Sequence, residues 1–259
     1  MHRHRPRLEC SGSGSTAQSI KADNADVKTR PGFGVSATNK NALSISGAGQ
    51  ITYTDKNGSS LTSTSRDALN VVSTGDDGAT DGSVTIDVDG PLTGGSTGIS
   101  ANNKGAGALT IKAGGTVEST SGNGIQAVNK NTQSKGLTIA TGGTVTAKRT
   151  AISATNYGSG LLSIDADGNL VGASGISAIN RGAGAVTIDA SGKITASEGN
   201  AIAVTNYGTN LSVLTGNTVT AAKTAISATN YGTGKLTVHT AADAVVRPAS
   251  ARRTTDPTR

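Results

Sequence analysis

Along most of the chain, apolar residues recur at every second position in short runs separated by Gly, Asn and Ser. The phrase Ala151-Ile152-Ser153-Ala154-Thr155-Asn156 shows the pattern: Ile152, Ala154 and Asn156 fall on one side, Ser153 and Thr155 on the other. Period two marks a half-buried strand, and the Gly-rich punctuation marks turns. The phrase recurs at Gly34–Asn39, Gly98–Asn103, Gly124–Asn129, Gly175–Asn180, Ala201–Asn206 and Ala225–Asn230. A weaker copy, Ala68–Ser73, ends in Ser instead of Asn. From Asn103 to Asn230 the Asn spacings are 26, 27, 24, 26 and 24 residues.

Each phrase leads through a Gly-containing link into a second strand, then through Gly into a third. In one unit these are Gly105-Ala106-Gly107, Leu109-Thr110-Ile111, Gly114-Gly115 and Thr116-Val117-Glu118. No stretch has a helical period, and Thr, Ser and Gly dominate where a helix favours Ala, Leu, Glu and Lys. A unit of three short strands cannot bury its own apolar side, whereas stacked copies bury a continuous one. The repeat therefore predicts an all-β fold, a single-stranded parallel β-helix. About eight coils of about 25 residues, starting at Val35, Leu69, Ile99, Ile125, Ile152, Ile176, Ile202 and Ile226, make a rod roughly 35–40 Å long. Parallel crossovers make the right hand the expected one. Ile152, Ala154, Asn156, Leu162, Ile164 and Leu170 point inward, and one larger insertion is expected around residues 52–83.

Stacking in register places one Asn over the next. Asn39, Asn103, Asn129, Asn156, Asn180, Asn206 and Asn230 are predicted to form an inward ladder that satisfies the turn backbone. Tyr157, Tyr207 and Tyr231 each follow a ladder Asn, and Lys40, Lys104, Lys130 and Arg181 take the same place in other coils. This column reads as a solvated edge that discourages lateral pairing. Its functional reading is contact with a sugar or an acidic partner.

Composition narrows the core and the chemistry. Aromatic residues make up 2 % of the 259, with one Cys and no Trp. A thick two-layer core, a disulfide framework and a Cys-based zinc site are excluded, and the Ala column keeps the interior narrow. The formal net charge of +6 comes mostly from the ends, through Arg3, Arg5, Arg7, Arg247, Arg252, Arg253 and Arg259. The remainder holds 16 basic and 15 acidic residues, with the signs mixed along the chain. No basic stripe with interleaved aromatics is visible in it, so nucleic acid is not an expected partner. No apolar run approaches the 18–20 residues that cross a bilayer.

The domain reading is a low-complexity or disordered segment at 1–30, the β-helix at 31–246 and a disordered basic tail at 247–259. One or both ends look like misread or truncated reading frames or residues added by cloning, and residues 1–10 lack the apolar segment of a secretory signal.

Catalytic patterns are few. Gly94-Gly95-Ser96-Thr97-Gly98 matches the nucleophile elbow, but that device needs a strand-to-helix turn and a His base. The only His residues are His2, His4 and His239. Asp76, Asp77 and Asp81 suggest a loop with at most weak Ca²⁺ affinity, and no cofactor or structural metal is expected. Asp165 and Asp189 should stack in adjacent coils, with Asp167 beside them and Lys112 in an equivalent earlier position. Two like charges about 5 Å apart raise one pKa, the sole hint of polysaccharide chemistry.

The repeated Gly-Ile-x-Ala-x-Asn, Leu-Thr-Ile and Gly-Thr-Val-Thr wording, clearest in Gly136–Ala147, resembles the passenger region of bacterial autotransporters, the type V secreted proteins. The resemblance covers residues 31–246. It implies a non-catalytic, adhesin-like structural rod, secreted or displayed at the outer membrane, that serves virulence by contacting host or neighbouring-cell proteins or glycans. It also implies a signal peptide before the passenger and a translocator β-barrel after it. Neither pattern is visible, so the chain reads as a passenger fragment without direct membrane insertion. The alternatives are a β-helix polysaccharide lyase or hydrolase, which would carry long irregular loops around a cleft, and a gene fragment without function.

Overall fold

Short alternating strands between Gly-rich turns stack here into three flat walls. The computed structural model describes residues 7–10, 13–14, 18–21, 26–29, 33–75 and 82–247. The fold is an all-β solenoid of about 8 turns with about 25 residues per turn. No helix occurs among the described residues. Every strand pair is parallel, and the strands form three sheets of ten, ten and nine members. The Ile-x-Ala-x-Asn phrases build sheet C, as in Ile125–Asn129 and Thr150–Asn156. The Leu-Thr-Ile runs build sheet A, as in Leu109–Ala113 and Val186–Ala190. The short Val-Thr runs build sheet B, as in Val117–Ser119 and Val145–Ala147. The chain winds from C to A to B and back to C.

Register is strict because a one-residue slip would turn the apolar side outward. Ile125 aligns with Ile152, Ala127 with Ala154 and Asn129 with Asn156. The inward residues form one continuous core in which Ile152, Leu162, Ile164 and Leu170 are fully buried. The aromatic members of that core are Phe33 and Tyr53, both toward the N-terminal end.

Three expectations are corrected. First, stacked strands begin before residue 31: Arg7–Cys10, Ser13–Gly14, Gln18–Lys21 and Asp26–Thr29 pair in parallel with later coils. They lack the repeat phrase, yet Val27 is buried in the common core. Second, most of the insertion expected around 52–83 is ordinary coil, and the longer link is confined to 74–83. Residues 51–73 supply the strands Ile51–Asp55, Ser60–Ser63 and Leu69–Ser73 of that coil, written in a different wording. Third, Gly34-Val35-Ser36-Ala37 lies in sheet B, where Val35 aligns with Leu61. The sheet C strand of that coil is Leu43–Gly47, and its column runs from Gly47 to Ser73. Asn39 is therefore outside the ladder. It sits exposed in a turn at φ 60° and accepts a hydrogen bond from Ser65 Oγ at 3.2 Å. Lys40, which follows it, is likewise outside the Tyr and Lys/Arg column. The last strand, Ala244–Val246, ends where the repeat pattern ends. The basic tail beyond Arg247, His2, His4, and Asp76, Asp77 and Asp81 lie outside the described residues.

Candidate functional site

Two features line up along the rod. The first is the corner where sheet C turns into sheet A. The inward phase of each phrase buries its Asn completely at Asn103, Asn129, Asn156, Asn180 and Asn206. Each side-chain amide donates to the Oδ1 of the next coil's Asn. The distances are 3.3 Å from Asn103 to Asn129, 3.3 Å from Asn129 to Asn156 and 3.0 Å from Asn156 to Asn180. From Asn180 to Asn206 the distance is 2.8 Å, and from Asn206 to Asn230 it is 2.9 Å. The same amides hold the local turn. Asn156 Nδ2 donates to the carbonyls of Gly158 and Gly160, both at 3.0 Å, while Gly158 N–H donates back to Asn156 Oδ1 at 3.2 Å. Six of the seven predicted ladder residues are thus brought together. Their polar groups are spent on the corner itself.

Outside the ladder runs the column Lys104, Lys130, Tyr157, Arg181, Tyr207 and Tyr231, every member exposed. Tyr207 and Tyr231 stack at 5.2 Å with 17° between their planes. Arg181 lies over the Tyr157 ring at 5.8 Å, a cation–π contact. Each ring thus has one face against a neighbour along the rod, and all three remain exposed to solvent. The corner gains a second basic row from Lys135 and Lys235. No Asp or Glu lies in these turns from residue 104 to 235. The Lys/Arg positions that the repeat put in one column thus form a basic edge, to which winding at 24 to 27 residues adds Lys135 and Lys235.

The second feature lies on the outer face of sheet A and the corner toward sheet B. Lys56 pairs with Asp87 at 2.6 Å and with Asp89 at 3.1 Å. Its hydrogen bond to Asp87 first, and to Asp89 after it, lifts the ammonium pKa above its ordinary value against an opposing effect of burial. Gly114, Ala140 and Gly142 then leave a shallow groove of about 210 Å³ between this cluster and Asp167. Beyond the groove Asp165 aligns with Asp189, as the repeat predicted. Ser191 Oγ donates to Asp167 at 2.6 Å. Partial burial, and then the charges of Asp167 and Asp189, push the Asp165 carboxyl above its usual range.

That shift has a testable sign. The folded-state pKa of Asp165 lies above the unfolded value of about 3.9. Ionised Asp165 therefore opposes folding at neutral pH, and the opposition is relieved as pH falls through its folded-state pKa. Asp165→Asn is expected to melt higher than the wild type at pH 7, with the gap closing below about pH 4. A gap that widens on acidification in a calorimetric pH series refutes this assignment.

The arrangement limits the chemistry. Carboxylates on opposite walls of the groove, such as Asp87 and Asp165, are three coils apart, roughly 14 Å at ~4.8 Å per strand. Glycosidase pairs stand about 5–9.5 Å apart. Neighbouring carboxylates come closer: Asp87 and Asp89 share Lys56 at 2.6 and 3.1 Å, and Asp165 lies one strand from Asp189, all of them on the outer surface. The Gly94–Gly98 pattern joins a sheet B strand to a sheet C strand without a helix. Its Ser96 is six coils from His239, roughly 29 Å at the same spacing. No cluster of three or more metal-ligating side chains occurs among the described residues.

No protein-family model, no curated protein and no solved structure matches this chain.

Proposed function

We propose that the chain is a structural, adhesin-like rod of the autotransporter passenger type, which holds contact surfaces away from a cell and performs no catalysis. The observation that supports this reading most directly is the uniformity of the coils. Five successive Asn–Asn links, the first four of them buried, run from Asn103 to Asn230 without a side domain between them. Such a column gives length and stiffness, and it spends polar groups on the scaffold instead of on a reaction centre. Display at an outer membrane or secretion, and contact with proteins or glycans of another cell, belong to this proposal.

Two assays test it on the full chain. Fused to an outer-membrane translocator barrel, the rod is expected to reach the cell surface in a protease-resistant state and to increase attachment to host-cell or matrix layers. In a reducing-end assay on neutral and acidic polysaccharides it is expected to release nothing. The register of Asp165 with Asp189 favours the enzymatic alternative. Sugar release that Asp165→Asn and Asp189→Asn abolish would replace the rod reading with that one.

A further inference from the structure

Winding sorts charge around the rod. One long edge, the C-to-A corner, carries Lys104, Lys130, Lys135, Arg181 and Lys235 without a carboxylate in its turns. Across sheet A the outward column runs Asp87, Lys112, Ala140, Asp165 and Asp189, and it is of opposite sign in the middle of the rod, where Asp165, Asp167 and Asp189 are exposed. The strands of this sheet are about five residues, roughly 17 Å, wide. Their outward Thr110, Thr138, Ser163, Thr187 and Ser212 are short, in register and half-buried, so the half of the face next to the basic edge is flat and uncharged.

We propose that sheet A is the docking face for a second copy of this chain. Two such faces can meet about a two-fold axis parallel to the rods or about one perpendicular to them. The parallel axis exchanges left and right, so each basic edge meets the partner's acidic stripe on both sides. The perpendicular axis keeps left and right, so basic meets basic and acidic meets acidic. The charge pattern therefore selects a parallel, side-by-side dimer. Arg181 precedes the strand that contains Asp189, so these two opposite charges lie at the same height on the rod. Lys130 and Lys135 precede the coil just before that of Asp165 and Asp167. A dedicated polyanion site is the weaker fit, because the acidic stripe one sheet away would repel a long polyanion, and the body has nearly balanced charge. The dimer goes beyond the rod reading and stands whether or not the rod is displayed on a cell.

Sedimentation of the full 259-residue chain at low and high salt tests the proposal. A concentration-dependent dimer is expected in dilute buffer. It should dissociate as the Debye length falls from about 10 Å at 0.1 M toward about 3 Å at 1 M salt. Lys130→Glu with Arg181→Glu should be monomeric, as should Asp165→Lys with Asp189→Lys. An equimolar mixture of the two variants should form a mixed dimer, because reversing both partners restores every opposite-sign contact. That rescue also shows that both variants are folded. A chain that stays monomeric in dilute buffer overturns the proposal, as does a dimer that survives either reversal. A monomer that binds heparin through Lys130 and Arg181 also overturns it, and would make the edge a polyanion site.

Discussion

Replacing Asn156 with Leu is expected to lower the melting temperature of the rod by about 6–12 °C, for a loss on the order of 3 kcal/mol. The residue is fully buried. It donates to Gly158 O, Gly160 O and Asn180 Oδ1, and it accepts from Asn129 Nδ2 and Gly158 N. Leucine has similar bulk and leaves all five of these partner groups short of a bond. Buried groups in that condition carry their full desolvation cost, which outweighs the added apolar area. The effect should spread, because Asn129 and Asn180 lose a neighbour on one side and each holds its own turn. Asn39→Gly is the matched comparison. Asn39 is exposed at φ 60°, a conformation glycine adopts freely. It makes one exposed side-chain bond, to Ser65, so a change within about 0.5 kcal/mol is expected. Thermal melts of both variants decide the matter. Equal losses would mean that the ladder contributes nothing beyond an ordinary turn Asn.

The contrast between these two Asn residues shows what the sequence could reveal. The strand period and the recurrence of Ile-x-Ala-x-Asn report the solenoid, because inward and outward positions obey a local rule repeated many times. The inward places of Ile152, Ala154, Asn156, Leu162, Ile164 and Leu170 follow from the same rule, and all are buried. Asn39 was misplaced because the phrase Gly-Val-Ser-Ala is as acceptable in sheet B as in sheet C. Local alternation says that a segment is a strand, but only register with its neighbours says which wall it joins. The same limit hid the coil at residues 51–73. Its first two strands bury Ile51, Tyr53 and Leu61 with a different wording, so a search for the phrase passes over them and finds only the third, at Leu69.

Charge was legible in sum and only in part in arrangement. Nearly equal numbers of basic and acidic residues in the body read as a neutral surface. The winding period converts spacing along the chain into position around the rod, so Lys104, Lys130 and Arg181 reach one edge while Asp165 and Asp189 reach another. The Asp165–Asp189 alignment was visible beforehand because both follow an inward Ile at the same place in the unit. The groove beside them was not. It arises where Gly114, Ala140 and Gly142 happen to stack without side chains of any length.

Gly182→Ala is expected to cost about 3 kcal/mol or more, through a single methyl group. In the corner after each ladder Asn, successive turns lie directly on one another at strand spacing. A Cβ added to Gly182 would stand 1.8 Å from the carbonyl oxygen of Gly158, 2.5 Å from its carbonyl carbon and 2.9 Å from the oxygen of Tyr157. All three atoms belong to the backbone of the preceding coil, so no side chain can move aside. Relief requires the two coils to separate. That separation would stretch the Asn156–Asn180 link, 3.0 Å long, and the bond from Arg181 N–H to Asn156 O, 2.8 Å long. In a solenoid each coil contacts only its neighbours, so the damage is localised to one junction and can split the melt into two steps. Gly142→Ala isolates the cause. Its nearest neighbours are atoms of Gly114 at 3.8 Å, an ordinary contact, and its φ lies outside the region reserved for glycine. There the methyl group restricts the unfolded chain and is expected to stabilise by about 0.5 kcal/mol. Calorimetry of the two variants, with amide exchange to locate the opening, gives opposite signs if the corner is packed backbone on backbone. Matching small shifts in both would mean that the corners are looser than this stacking requires.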